Sequence, residues 1–129
     1  MSRLGRAHPW GPAERGQATV EAALILPVIV LALLAVIQIG LVVHDRIMVT
    51  HAAREGVRVA AVQAGESAVR DAVVASGGLA PDRLDVVHQT SAGRVTVVIR
   101  YRSPTNVPLI GGLVGDVELV GSATMRREG

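Results

Sequence analysis

The pattern of apolar and polar positions divides the chain into three parts. From Ala22 to Val43 it reads AALILPVIVLALLAVIQIGLVV, with no charged side chain, and Gln38 is the only strongly polar one. As a helix this stretch is about 33 Å long, and a bilayer's hydrocarbon core is about 30 Å thick. The pattern predicts one membrane-spanning helix. Helical backbone satisfies its own N–H and C=O groups, as lipid demands. Pro27 falls in the first turns, where it removes one bond and can bend the helix. The competing reading is a buried helix of a soluble domain, but such a helix rarely stays apolar on every side for so long.

Beyond Val43 the helical period continues with a different texture. Arg46, Thr50, Arg54 and Arg58 recur at i, i+4 and make a polar stripe. Ala52, Gly56, Ala60 and Ala64 recur at the same interval nearly opposite. Two such stripes predict an amphipathic helix running on to about Gly65. The combined helix, from about Ala18 to Ala64, would be about 70 Å long. Small residues at every fourth position let another backbone approach closely. Its partner is either this chain's own sheet or the helix of a neighbouring subunit. Glu66 to Ser76 predicts a short second helix, with Ala68, Ala72 and Ala75 alternating with Glu66, Arg70 and Asp71. Gly77–Gly78 supplies its C-cap, and Pro81–Asp82 a turn.

The period then changes to two. Leu84 and Val86 share a face in Leu84–Thr90. Val95, Val97, Ile99 and Tyr101 oppose Arg94, Thr96, Arg100 and Arg102 in the next run. Val117, Leu119, Ala123 and Met125 oppose Glu118, Ser122, Thr124 and Arg126 in the last. These are half-buried strands, and Ser91–Ala92–Gly93 is short enough for a hairpin. Ser103 to Asp116 is a Pro- and Gly-rich loop with an apolar tip at Val107–Ile110, expected to fold back onto the sheet. The fold class is therefore α+β: a long N-terminal transmembrane helix extending out of the membrane, a short helix, then an antiparallel sheet of about three strands.

Residues 1–17 form a polar leader with Arg3, Arg6 and Arg15. Pro9, Gly11, Pro12 and Gly16 work against helix there, so regular structure is expected only from Ala18. A cleaved secretory signal would have a shorter apolar run and an A-x-A site before His44–Asp45–Arg46, so the span is expected to be retained. Arg46, Arg54 and Arg58 nearly balance the leader's arginines, and the positive-inside rule gives close to a tie. The short leader favours a cytoplasmic N-terminus.

Composition narrows the chemistry. Half the residues are hydrophobic but only 2% are aromatic, with no Phe, so any core outside lipid is built from Val, Leu, Ile and Ala. There is no Cys, which removes disulfides and thiolate metal sites. The net charge is +2 and the basic side chains are scattered arginines without stacking aromatics, which argues against nucleic-acid binding. His44 and His51 stand at i, i+7 and His51–Glu55 at i, i+4, with no H-E-x-x-H helix for zinc. Ser67, Ser91 and Ser122 lack a nucleophile-elbow context. Gly111, Gly112 and Gly115 lack a P-loop Lys. No enzyme, cofactor, metal or small-molecule substrate is expected.

Glu21 stands at the threshold of the span. A carboxylate drawn to the bilayer centre costs up to about 3 kcal/mol. Either it sits at headgroup depth near the helix N-terminus, or it pairs with a positive charge on another chain during assembly.

Gly16–Gln17–Ala18–Thr19–Val20–Glu21, leading directly into the span, resembles the processing site of type IV pilins and pseudopilins. More narrowly, RGQATVEAALILP, then His51–Ala52–Ala53–Arg54–Glu55–Gly56–Val57–Arg58, then Ser122–Ala123–Thr124–Met125–Arg126–Arg127–Glu128, resemble the TadE-like proteins of tight-adherence (Flp) pilus systems. That resemblance implies a pilin-like fold and a peptidase cut after Gly16, leaving Gln17 as the new N-terminus. It implies that Glu21 pairs with an N-terminal amine in the assembly. Ala22 stands where processed pseudopilins usually carry an aromatic residue. It further implies an inner-membrane, single-pass protein with leader 1–17 in the cytoplasm, span 18–43, and domain 44–129 outside. Its expected partners are the lipid bilayer and other pilus subunits. The alternative is a membrane-tethered extracytoplasmic binding module with no pilus role.

Overall fold

The computed structural model describes residues 12–62 and 65–127. Most of the leader, and Ala64 of the small-residue stripe, lie outside the described residues. Among these residues the chain forms α1 (Pro12–Ala61), α2 (Glu66–Gly77), β1 (Leu84–Ser91), β2 (Arg94–Ser103), the single turn α3 (Gly111–Val114) and β3 (Val117–Arg126). A 3-10 turn at Pro81–Arg83 leads into β1.

α1 starts earlier than the leader's composition suggests. Pro12 and Gly16 do not break it, and the helix is continuous from Pro12. Proline suits the first helical position, where its missing N–H would have no partner. Glu14 adds an acidic side chain to the first turn, which the helix dipole favours. Gly16 costs about 1 kcal/mol relative to Ala, less than the flanking turns supply. At the other end α1 stops at Ala61, a little short of Ala64, with the Val62 N–H closing onto the Val59 carbonyl.

Contacts divide the chain into two units, one up to Leu33 and one from Leu34 onward. The first consists, in its described part, of the opening turns of α1 alone. The second has one hydrophobic core. α1 contributes Val49, Ala52, Ala53, Val57 and Ala60, α2 contributes Val69 and Val73, and the sheet contributes Leu84, Val95, Val97, Ile99, Tyr101 and Leu119.

The sheet has order β1-β2-β3, with both pairs antiparallel. Leu84 pairs with Tyr101 and Ser91 with Arg94, so the hairpin turns on Ala92 and Gly93. Both have positive φ, 50° and 72°. This is the left-handed backbone that two-residue hairpins need, and Gly93 adopts it without strain. Burial alternates along central β2, with Val95, Val97, Ile99, Tyr101 and Ser103 all inward. The outward face is mostly polar, with Val87 and Val120 exposed among its charged and hydroxyl side chains. Asp85 lies opposite Arg100, Arg102 opposite Glu118, and the Thr96 and Thr124 hydroxyls are bonded at 2.9 Å.

The second helix forms where expected but buries a different face. Val69, Val73 and Gly77 point into the core, while Ala75 is exposed and Ala68 and Ala72 are only half-buried. Valine removes more apolar area from water than alanine, so the valine side wins the core position. Gly78, in the left-handed conformation at φ 57°, ends the helix.

Candidate functional site

Two surfaces carry the functional question: the exposed apolar turns of α1, and a groove between Ala35–Val43 and the segment joining β2 to β3. Every side chain from Ala22 to Leu33 is exposed, although most are large and apolar; Leu24 is 71% exposed. Nothing among the described residues covers them. α1 is the one helix among the described residues that is long and apolar enough to cross a membrane.

The pattern changes at Leu34 and Ala35, which are half-buried, and at Gln38, which is 5% exposed. Gln38 lines an apolar groove with Ala35, Ile39, Val42 and Val43 of its own helix. The opposite wall is Ile110, Val114 and Val117, from the segment joining β2 to β3. Neither amide atom of Gln38 meets a hydrogen-bond partner among the described residues. A buried amide without partners costs about 1–3 kcal/mol, which the surrounding packing must offset.

Just past this groove the helix is tied to the sheet. The Ser103 hydroxyl, at the end of β2, donates to Asp45 Oδ2 at 2.5 Å, and Ser103 is buried. A charge-assisted bond of this kind is stronger than a neutral one. The other end of the connecting segment is held by Asp116. Arg83 Nη1 lies 3.2 Å from its Oδ2, and the Thr105 N–H donates to its Oδ1 at 3.5 Å. The apolar tip of this segment divides. Val107 folds inward, as expected, but Leu109 is exposed, with its backbone at φ 68°.

The residues singled out for processing and assembly fall on the open part of α1. Gly16 and Gln17 are helical and exposed, and a side chain at Gly16 would meet no atom within 4 Å. Glu21 is exposed and makes no ion pair among the described residues.

The small-residue face lies elsewhere and is filled by the same chain. Ala52, Gly56 and Ala60 are buried. A Cβ on Gly56 would come within 2.7 Å of Val73 Cγ2 on α2 and 3.3 Å of Val97 Cγ1 on β2. A Cβ on Gly77 would lie 3.1 Å from Ala52 Cβ. Between the two partners left open by spacing, the chain's own domain occupies this face. Spacing missed Val49, Ala53 and Val57, which complete the buried side at i, i+3 and i+4. Gly121 on β3 leaves room for Val49, whose Cγ1 would sit 2.7 Å from an added Cβ.

The polar stripe is solvent-facing throughout. Arg46, Thr50, His51 and Arg54 line a shallow surface depression, and Arg58 lies 3.9 Å from Glu55. No group of three His, Asp or Glu side chains suited to a metal occurs among the described residues.

Comparison with known proteins gives one positive finding. A family model described as TadE-like protein matches residues 16–58, the family that the sequence resembles. The match begins at Gly16 and ends at Arg58, so it takes in the exposed apolar turns, Gln38 and most of the buried small-residue face. The Ser122–Glu128 motif lies outside it. No curated protein and no solved structure matches the chain.

Proposed function

We propose, from the TadE-like match over residues 16–58, that the chain is a membrane-anchored minor pilin-like component of a tight-adherence pilus assembly or secretion machinery. Its action is structural, not catalytic. The apolar turns of α1 cross the inner membrane once, with the leader on the cytoplasmic side and the domain from residue 44 outside. The observation that carries this reading is the coincidence of the family match with a run of large apolar side chains that nothing among the described residues covers. In water such a surface is a strong liability; in lipid it is the expected one.

Subunit contacts, in this reading, use the open part of α1. The face at Ala52, Gly56 and Ala60 is already occupied by α2 and β2. Glu21, exposed and without an ion pair among the described residues, pairs with an N-terminal amine of a neighbouring subunit. Processing after Gly16 would create such an amine at Gln17. A peptide bond inside a helix must first unwind to enter a peptidase cleft. Gly16 is a weak point for that opening, because glycine has the greatest backbone freedom to regain.

Mass spectrometry of the protein extracted from its native membrane tests the reading. A mature chain beginning at Gln17, co-purifying with pilus-machinery proteins, is the expected result. An intact Met1 with no such partners would overturn it and leave the membrane-tethered binding module. Glu21→Gln should reduce co-purification of partner subunits while leaving the protein in the membrane. Unchanged co-purification would remove the pairing role from Glu21.

A further inference from the structure

We infer that the segment joining β2 to β3, residues 104–115, is a second membrane contact that rests in the outer lipid interface beside the span. The inference depends on the reading of α1 as membrane-spanning. Four observations place the segment there. Ser103, immediately before it, is bonded to Asp45, two positions past the last apolar residue of the span. The segment does not lead away from the helix. Ile110 and Val114 line one groove with Ala35, Gln38, Ile39, Val42 and Val43. Gln38 lies about 7 Å below Val43 along a helix that rises 1.5 Å per residue. The segment therefore reaches the level of the span's outer end, where acyl chains meet headgroups.

The third observation is chemical. From Ser103 to Gly115 the chain carries no charge. Three of its apolar side chains are turned outward, while Val107 is buried: Leu113 is 84% exposed, Leu109 66% and Val114 60%. On a domain surface in water these would form an apolar cluster with nothing to cover it. Beside the span, lipid covers it, as a direct continuation of the apolar surface of α1. The fourth concerns the backbone of the turn that carries Leu113 and Val114, whose N–H groups find partners within the segment, as lipid favours. The N–H groups of Gly111, Leu113, Val114 and Gly115 donate to the carbonyls of Val107, Ile110, Ile110 and Gly111. The Thr105 hydroxyl donates to the Gly115 carbonyl, closing the base.

The absence of cysteine allows a clean test on the full chain in phosphatidylcholine nanodiscs. Single-cysteine variants Leu113→Cys, Ile37→Cys and Gln89→Cys are each labelled with the environment-sensitive fluorophore NBD. All three positions are exposed, so the label disturbs no packing. Quenching is read from a doxyl group high on the acyl chain and from aqueous iodide. The expected result is that the lipid-borne quencher dims Leu113 and Ile37 while iodide dims only Gln89. Iodide quenching of Leu113 with lipid quenching of Ile37 would overturn the inference and leave the span intact. Protection of Leu113 from both quenchers would overturn it in favour of a protein partner, a second copy included. Loss of lipid quenching at Ile37 as well would show that the span reading itself had failed.

Discussion

The two parts of α1 obey one helical geometry and solve opposite problems. From Ala22 to Leu33 the side chains are mostly Leu, Ile and Val, interrupted by three alanines and Pro27, and all are exposed. From Val49 to Ala61 the apolar residues are mostly Ala, Gly and Val on one side, and that side is buried. Bulk on all sides prevents a second layer of the same chain from reaching the helix axis, and leaves lipid as the natural cover. Small residues on one side let α2 and β2 approach until Gly56 has no room for a methyl group. Side-chain size and distribution, more than hydrophobicity alone, decide which surface covers each part.

The comparison breaks most sharply in the core. Ile99→Ala removes a fully buried side chain from the centre of β2 and should destabilise the domain by about 2–5 kcal/mol. Denaturant unfolding in detergent micelles measures it, and membrane retention should not change. Next comes the converse change. Leu33→Arg, near the middle of the span, should disfavour insertion by about 3 kcal/mol and leave the domain's unfolding midpoint where it was. A shared effect of either change on both measurements would erase the distinction between the two parts.

A pair of glycine substitutions sharpens the same contrast. Gly56→Val should destabilise by about 1–3 kcal/mol, because its Cβ collides with the stiff Val73 side chain. Gly40→Ala meets no atom within 4 Å and should not destabilise the domain, since alanine is the better helix former. The smallest effect belongs to the outer stripe. Arg58→Ala breaks an exposed ion pair with Glu55 and should cost less than about 0.5 kcal/mol, seen as little or no shift in the unfolding midpoint.

Much of this organisation was legible in the sequence, because periodicity reports burial directly. The alternation from Arg94 to Arg102 gives the inward face of β2, and the uncharged run from Ala22 to Val43 gives the apolar part of α1, whose turns from Ala22 to Leu33 are exposed. Gly78 marks the end of α2 because few other residues accept φ 57°. Three features were hidden for physical reasons. The start of α1 was obscured because Pro12 and Gly16 disfavour helix interiors yet are tolerated in an opening turn. The buried face of α2 was obscured because alanine and valine both fit a helical stripe, and only tertiary packing chooses between them. The third concerns long-range partners. Nothing local links Ser103 to Asp45, or Ile110 and Val114 to Gln38, so the groove beside the span emerges only when the chain is folded.

For the processing and assembly residues the sequence was informative about place and silent about partners. Gly16, Gln17 and Glu21 lie together on the uncovered turns.

Alkaline carbonate extraction of membranes containing the full chain tests the central claim most directly. The account predicts that the protein stays with the sedimented bilayer and enters solution only with detergent. Release by carbonate alone as a monodisperse, water-soluble protein would contradict it.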